Sequence, residues 1–283
     1  MQDSVTLSPI GVFDSGVGGL SVLKELKTLL PAESFIYVAD SGHAPYGDRE
    51  SGFVEARARE VARFLCERHA KALVIACNTA SVVAVRRLRD SLLIPIVAME
   101  PAIKPAAKLT QSKVILVLAT TGTIHSQSVA QLCRMHGAGI RIILQACPGL
   151  SDQVERGEFL SGTTRQLLEK YVLPGVAEGA DTIVLGCTHY AFLANEIAAI
   201  AGPSVTIVEP STAIARQLAR VLPAATPCVN HSQVKTTYYT SGPLALMSSF
   251  LEFIDEPFDQ VFSLPAGEAD FLQAEDGPRR YCL

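Results

Sequence analysis

The 283-residue chain lacks any excess of positive charge: 24 Lys and Arg stand against 28 Asp and Glu, a formal net charge of −4. Without a positive field it has no general attraction for nucleic acid or an anionic membrane, and neither is expected as a partner. Charged residues are scarce, 18% against 48% hydrophobic, which excludes a disordered chain and demands large cores. No apolar run approaches the roughly 18 residues that span a bilayer. The first ten residues have neither the basic nor the apolar segment of a secretion signal, so a cytoplasmic protein is expected. The seven cysteines have no short CxxC spacing. They are therefore read as reduced thiols, without a disulfide framework and without a metal site.

What the chain has is a series of short, almost wholly apolar runs: IGVF (10–13), FIYVA (35–39), ALVIA (72–76), PIVAM (95–99), KVILVLA (113–119), IRIILQA (140–146), DTIVLG (181–186) and SVTIV (204–208). Strands apolar on both faces belong to parallel sheets covered on both sides. Between them lie helix-period segments such as 53–69, where Val54, Ala58, Val61, Phe64 and Leu65 share one face and Arg and Glu the other. The alternation predicts an α/β protein of mostly parallel sheets flanked by helices, with ligands beyond the carboxyl ends of the strands.

The strand ends repeat. FDSGVGGL faces ATTGTIHS at an offset of about 106, VADSGHAPYG faces QACPGLSDQVE at nearly the same offset, LVIACNTAS faces IVLGCTHYA at 110, and AMEPAIKPA faces VEPSTAIAR at 109. Four pairings in order predict two pseudo-symmetric halves, near 10–100 and 112–209. The remainder, helical over 210–222 and strand-like over 235–240, is expected to return to the first half. The domains predicted are 1–100 with 210–283 and 101–209, with the active site in the cleft between them.

The third pairing sets Cys77 and Cys187 at equivalent strand ends, followed by Asn78-Thr79 and Thr188-His189. Halves facing each other across a pseudo-twofold axis bring one thiol to each side of a bound molecule. Inverting a carbon stereocentre by proton transfer needs that arrangement: a base on one face and an acid on the other, roles exchanged for the opposite enantiomer. A cysteine at a strand-to-helix turn is expected to hold a useful thiolate fraction, because a helix N-terminus lowers the ordinary pKa of about 8.5. Taken singly, either cysteine reads as a small buried hydrophobe; the pairing favours chemistry. Cys66, Cys133, Cys147, Cys228 and Cys282 have no matched partner and are read as packing or surface thiols.

Other polar residues fall at the same strand ends. Asp14 and Ser15 follow the first strand, Asp40 the second, Tyr46-Gly47 lies in the next loop, Thr120 and Thr123 follow the second half's first strand, and Glu155 trails ACP at 146–148. Asp14 reads equally as a cap or turn residue. His189, two residues after Cys187, is placed to exchange protons with it, and Glu155 reads also as a solvated helix end.

FDSGVGGLSVL (13–23), PYG (45–47), CNTAS (77–81), MEPA (99–102), CPGLSDQVE (147–155) and GCTHY (186–190) resemble the glutamate racemase family over nearly the whole chain. That resemblance implies two similar α/β domains around the active site, and interconversion of L- and D-glutamate for peptidoglycan synthesis without pyridoxal phosphate or another cofactor. It implies Cys77 and Cys187 as the acid/base pair, Asp14 assisting the former and His189 the latter, with Asp40 and Glu155 in supporting roles. Substrate contacts implied are Asp14, Ser15, Tyr46, Gly47, Asn78, Thr79, Thr120, Thr123, Thr188 and His189. Hydroxyls and backbone N–H groups at helix N-termini would hold the glutamate carboxylates, the acids would hold the ammonium, and the glycines at 16–19 would let backbone approach the ligand. A homodimer is the family's common state. Gly149 to Asp152 depart from the family, being more polar than its usual apolar run.

Three other readings stay open. An aspartate racemase would typically carry Glu where His189 stands. A nicotinamide-dependent dehydrogenase would use Gly16 and Gly18 with Asp40, although Ser21 replaces the third glycine of that fingerprint. A two-lobed amino-acid-binding protein would share the two halves but not need paired thiols.

Overall fold

In the computed structural model, which describes residues 8–222 and 234–265, the apolar runs form two parallel sheets. Cys228 and Cys282 lie outside the described residues. In the first half, β1 (Ile10–Asp14), β2 (Phe35–Ala39), β3 (Ala72–Ile75) and β4 (Ile96–Ala98) alternate with α1 (Leu20–Leu29), α2 (Ser51–Glu67) and α3 (Asn78–Ser91). In the second, α4 (Ile103–Leu109) leads into β5 (Val114–Ala119), followed by α5 (Thr121–Ile124), α6 (Gln127–His136) and β6 (Arg141–Ala146). Then come α7 (Leu150–Glu155), α8 (Gly162–Ala177), β7 (Thr182–Gly186), a 3-10 turn (Thr188–Leu193), α9 (Ala194–Ala201) and β8 (Thr206–Val208). The chain continues through α10 (Ser211–Val221), β9 (Thr236–Thr240), α11 (Leu244–Phe253) and β10 (Val261–Ser263).

The strand orders make the duplication visible: β2-β1-β3-β4 in the first sheet and β6-β5-β7-β8 in the second. Each strand of the second half sits where its counterpart four strands earlier sits in the first. The halves differ at one edge. β9 pairs with the outer side of β2 and β10 extends it, so β2 is central and fully buried. Among the described residues no strand pairs with the outer side of its counterpart β6, and Leu144 is 37% exposed. The run IRIILQA, read as a strand covered on both faces, is therefore a half-exposed edge, because β9 and β10 join only the first sheet.

Helices cover both faces of each sheet. Val54, Ala58, Val61, Phe64 and Leu65 of α2 are buried with Ile75 and Ala84 under the first sheet, as their spacing predicts. Ile103, Ala106, Val129 and Leu132 of α4 and α6 play the same part under the second. The remaining faces share one core, in which Val12, Tyr37 and Val74 join Leu116, Leu118 and Leu185. A core common to both halves seats the carboxyl ends of β1, β3, β5 and β7 against each other. Among the described residues no helix is long and apolar enough to cross a membrane.

Candidate active site

β3 delivers its apolar run to Ala76 and then to Cys77, which is the N-cap of α3. Its Sγ accepts from the Ala80 N–H at 3.4 Å and its thiol donates to Ser15 Oγ at 3.4 Å. The helix N-terminus expected to lower this thiol is present, yet the thiol titrates well above its ordinary range. Burial dominates, and the neighbouring Asp14 carboxyl adds to it, outweighing the two hydrogen bonds. At 5% exposure water cannot solvate a thiolate here, and the sequence-based expectation of a ready thiolate at Cys77 is corrected accordingly.

Cys187 ends β7 in the equivalent way and precedes the 3-10 turn at Thr188. Its sulfur lies 3.7 Å from His189 Nδ1 and 3.6 Å from Ser151 Oγ, with 7% of the residue exposed. On the far side of the ring, His189 Nε2 lies 2.6 Å from Glu155 Oε1. Burial opposes a charged imidazole, but the hydrogen bonds to Cys187 and Glu155 prevail and hold the His189 pKa well above its ordinary value. Glu155 is no solvated helix end: it also accepts from the Val17 N–H at 2.8 Å and the Ser41 hydroxyl at 3.1 Å, both in the first half.

The two thiol sites are tied together by reciprocal bridges. Thr188 Oγ1 donates to Asp14 Oδ2 at 3.1 Å, while Thr79 Oγ1 meets Thr120 Oγ1 at 2.9 Å and Thr123 Oγ1 at 3.4 Å. Each cysteine's loop thus reaches the first strand end of the opposite half. Asp14 is a turn residue as well: its carboxylate accepts from Ser15 N–H at 2.7 Å and from Gly19 N–H. Complete burial raises its pKa, with the His189 charge pulling the other way.

Two of the glycines at 16–19 face the second half of the chain. A Cβ at Gly16 would collide with the Glu155 carboxylate, and one at Gly18 would lie 2.6 Å from His189 Nδ1 and from Thr188 Oγ1. The close approach they permit is that of the second half of the chain. Asp40 lies at the second strand end with its carboxylate taken up by protein donors: Arg57 through two nitrogens at 2.9 and 2.8 Å, Ser241 Oγ at 2.7 Å, the Tyr46 hydroxyl and the His43 ring. It is spoken for, so the ammonium-holding part expected of the acids does not extend to it. Instead it fixes Tyr46, and Gly47 follows against the Thr120 side chain. A small cavity of about 10 Å³ opens between Pro45, Gly47 and Asp48 of the first half and Thr120, Cys147 and Ser151 of the second.

Asn78 is the exception in a well-bonded site. At 2% exposure, neither its amide nitrogen nor its amide oxygen has a partner among the described residues. Buried amides are ordinarily satisfied, which sets this one apart. Sequence reasoning missed Ser151, Ser41 and Arg57. Only Ser151 carried a signal, standing four residues before Glu155 on one helix face. Among the described residues no group of three His, Cys, Asp or Glu side chains is placed to hold a metal ion.

Fold and site together define an enzyme of two pseudo-symmetric α/β halves that sets one thiol from each against a shared polar interface. Residues 10–218 match the sequence model of the Asp/Glu/Hydantoin racemase family. A glutamate racemase of Methylococcus capsulatus is 47% identical over 262 residues, 92% of this chain and 97% of that protein. Among solved structures, the glutamate racemase of Escherichia coli, in complex with L-glutamate and the activator UDP-MurNAc-Ala, superposes with a TM-score of 0.81 at 30% identity, over 90% of this chain and 98% of that one. A glutamate racemase isoform of Bacillus anthracis gives 0.79 at 32%, over 92% and 97%. The chain belongs to the Asp/Glu/hydantoin racemase family and is an isomerase.

Proposed function

We propose that the protein interconverts L- and D-glutamate by two-base proton transfer between Cys77 and Cys187. The observation that carries this reading is the equivalence of the two cysteines: each caps the turn after the third strand of its half, and Ser15, Asp14 and Thr188 link them by hydrogen bonds. One thiolate takes the α-proton, leaving the electron pair on the α-carbon, and the opposite thiol returns a proton to the other face. The roles are then exchanged, which is how the reverse reaction runs. The two sulfurs supply both transfers, so the reading calls for no cofactor.

Asn78 suits an amino acid, since its Nδ2 would donate to a carboxylate and its Oδ1 would accept from an ammonium. The hydroxyls of Ser15, Thr79, Thr120, Thr123 and Thr188, with Tyr46 and Gly47, complete the polar wall around the substrate. Asp14 assists Cys77 and His189 assists Cys187, with Glu155 holding the ring. The glutamate-racemase relatives, with His189 present at the position after Cys-Thr, favour glutamate over aspartate. We place the enzyme in the cytoplasm, supplying D-glutamate for peptidoglycan. It works as a homodimer of chains divided into domains 1–100 with 210–283 and 101–209, a division supported by the way β9 and β10 join the first sheet and α10 packs on α1.

The test is incubation of L-glutamate, and separately L-aspartate, in deuterated water with a chelator and no added cofactor. Solvent deuterium should enter the α-carbon of glutamate as the D-enantiomer forms, and aspartate should remain unexchanged. Cys77→Ala and Cys187→Ala should each abolish racemisation. Normal racemisation by both variants would overturn the assignment.

A further inference from the structure

Helix α7 places Ser151 and Glu155, four residues apart, on one face. Leu150 and Val154, one position earlier in each turn, are wholly buried in the shared core and hold the helix in that orientation. The polar face meets the second thiol site twice: Glu155 at His189 Nε2, and Ser151 Oγ at 3.6 Å from Cys187 Sγ. Ser151 is 5% exposed. The first half supplies a counterpart in Ser15, 3.4 Å from Cys77 Sγ. Each thiol therefore has one serine.

We infer that Ser151 is a positioning residue for proton transfer at Cys187, donating its O–H to the charged sulfur. This rests on the two-cysteine reading. When Cys187 Sγ takes the α-proton, the Cα–H bond breaks, its electron pair stays on the α-carbon and an S–H bond forms. Ser151 gives up no proton. A hydrogen bond to the charged form favours that form, so losing it makes the sulfur harder to ionise. The other titratable groups around Cys187 are His189, with Glu155 behind it, and Cys77, Cys147 and Tyr190. Ser151→Ala leaves all of them in place.

The experiment is peptide-resolved alkylation of Cys187 by iodoacetamide across pH, in a Cys77→Ser background where Cys187 titrates without its partner thiol. Ser151→Ala should move the Cys187 alkylation profile upward by about one pH unit and Ser151→Thr, which keeps the hydroxyl, by much less. Equal high-pH plateaus in all three proteins would show that access to the sulfur is unchanged. With Cys77 restored, Ser151→Ala should lower kcat several-fold at neutral pH with KM nearly constant. An unshifted alkylation profile in Ser151→Ala, or an equal shift in Ser151→Thr, would overturn the inference. Absence of racemisation by the parent enzyme would instead overturn the proposed function, and the alkylation result would stand apart from it.

Discussion

Cys77 and Asp40 show how the same two forces, burial and local hydrogen bonding, come out in opposite directions. Cys77 has two weak sulfur hydrogen bonds against complete burial, and its thiol is pushed up. Asp40 is also buried, which raises a carboxyl, but the donors from Arg57, Tyr46 and Ser241 overcome this and its pKa lies below the ordinary 3.8. A carboxyl whose folded pKa is depressed adds stability above its unfolded pKa and loses it as pH falls through the folded one. Asp40→Asn should therefore cost about 2 kcal/mol at pH 7, where half-buried Arg57 keeps Glu60 but loses its two-point contact with the Asp40 carboxylate. The gap between parent and variant, measured by urea unfolding, should stay constant down to the ordinary carboxyl pKa and close below it. A gap that persists unchanged through the acid range would show that the charge of Asp40 is not what holds this loop. Since Asp40 positions Tyr46, the variant should also raise KM for glutamate more than it lowers kcat.

At the scale of elements, strands and helices were the most legible part of the sequence, because their periodicities of two faces and 3.6 residues depend only on neighbours. The runs 10–13, 72–76 and 181–186 read as buried strands, and Ile10–Asp14, Ala72–Ile75 and Thr182–Gly186 within or beside them are buried strands. What the loops between them touch was not legible. The glycines at 16–19 were recognisable as a close approach, but what approaches is Glu155 and His189, about 138 and 171 residues away in the chain, and local pattern carries no record of them. Two of these glycines separate the possibilities. At Gly16 the obstacle to a Cβ is the flexible end of Glu155, whereas at Gly18 it includes the His189 backbone nitrogen at 2.8 Å. Gly18→Ala should consequently wedge the halves apart, costing about 1–3 kcal/mol of stability and most of the activity. Gly16→Ala should keep near-parental stability while losing activity through displacement of Glu155 from His189. Thermal unfolding and glutamate turnover measured side by side check this, and equal destabilisation by both would mean that the loop itself gives way.

Across the whole molecule, the repeated strand order shows that the internal duplication, visible in the sequence as near-constant offsets, is a repeat of topology and not only of motifs. The position of Cys77 and Cys187 at matched strand ends was readable for that reason. The tail's return to the first sheet was readable from its strand-like run, but the contact it makes with the second half was not. Phe250 and Phe253 of α11, the helix that connects β9 to β10, pack on Phe159 and Phe192 of the second half. Phe250 meets Phe159 and Phe192 edge-on at 5.7 and 5.1 Å, and Phe253 stacks on Phe159 at 4.7 Å. No periodicity announces such a cluster, since its members belong to three separate segments. It should make the halves unfold together: Phe250, 4% exposed, is the ring common to both sides. Phe250→Ala should cost about 3–5 kcal/mol and leave a cavity at the junction. Because the lost contacts join the halves more than they support either one, calorimetry should show the parent's single transition broadening or dividing into two. Deuterium exchange into glutamate should fall as well, because the bridges Asp14–Thr188 and Thr79–Thr120 would then have to hold the two thiols in register without the aromatic junction behind them. A variant that unfolds in one sharp transition with unchanged turnover would mean that the shared aliphatic core alone couples the halves.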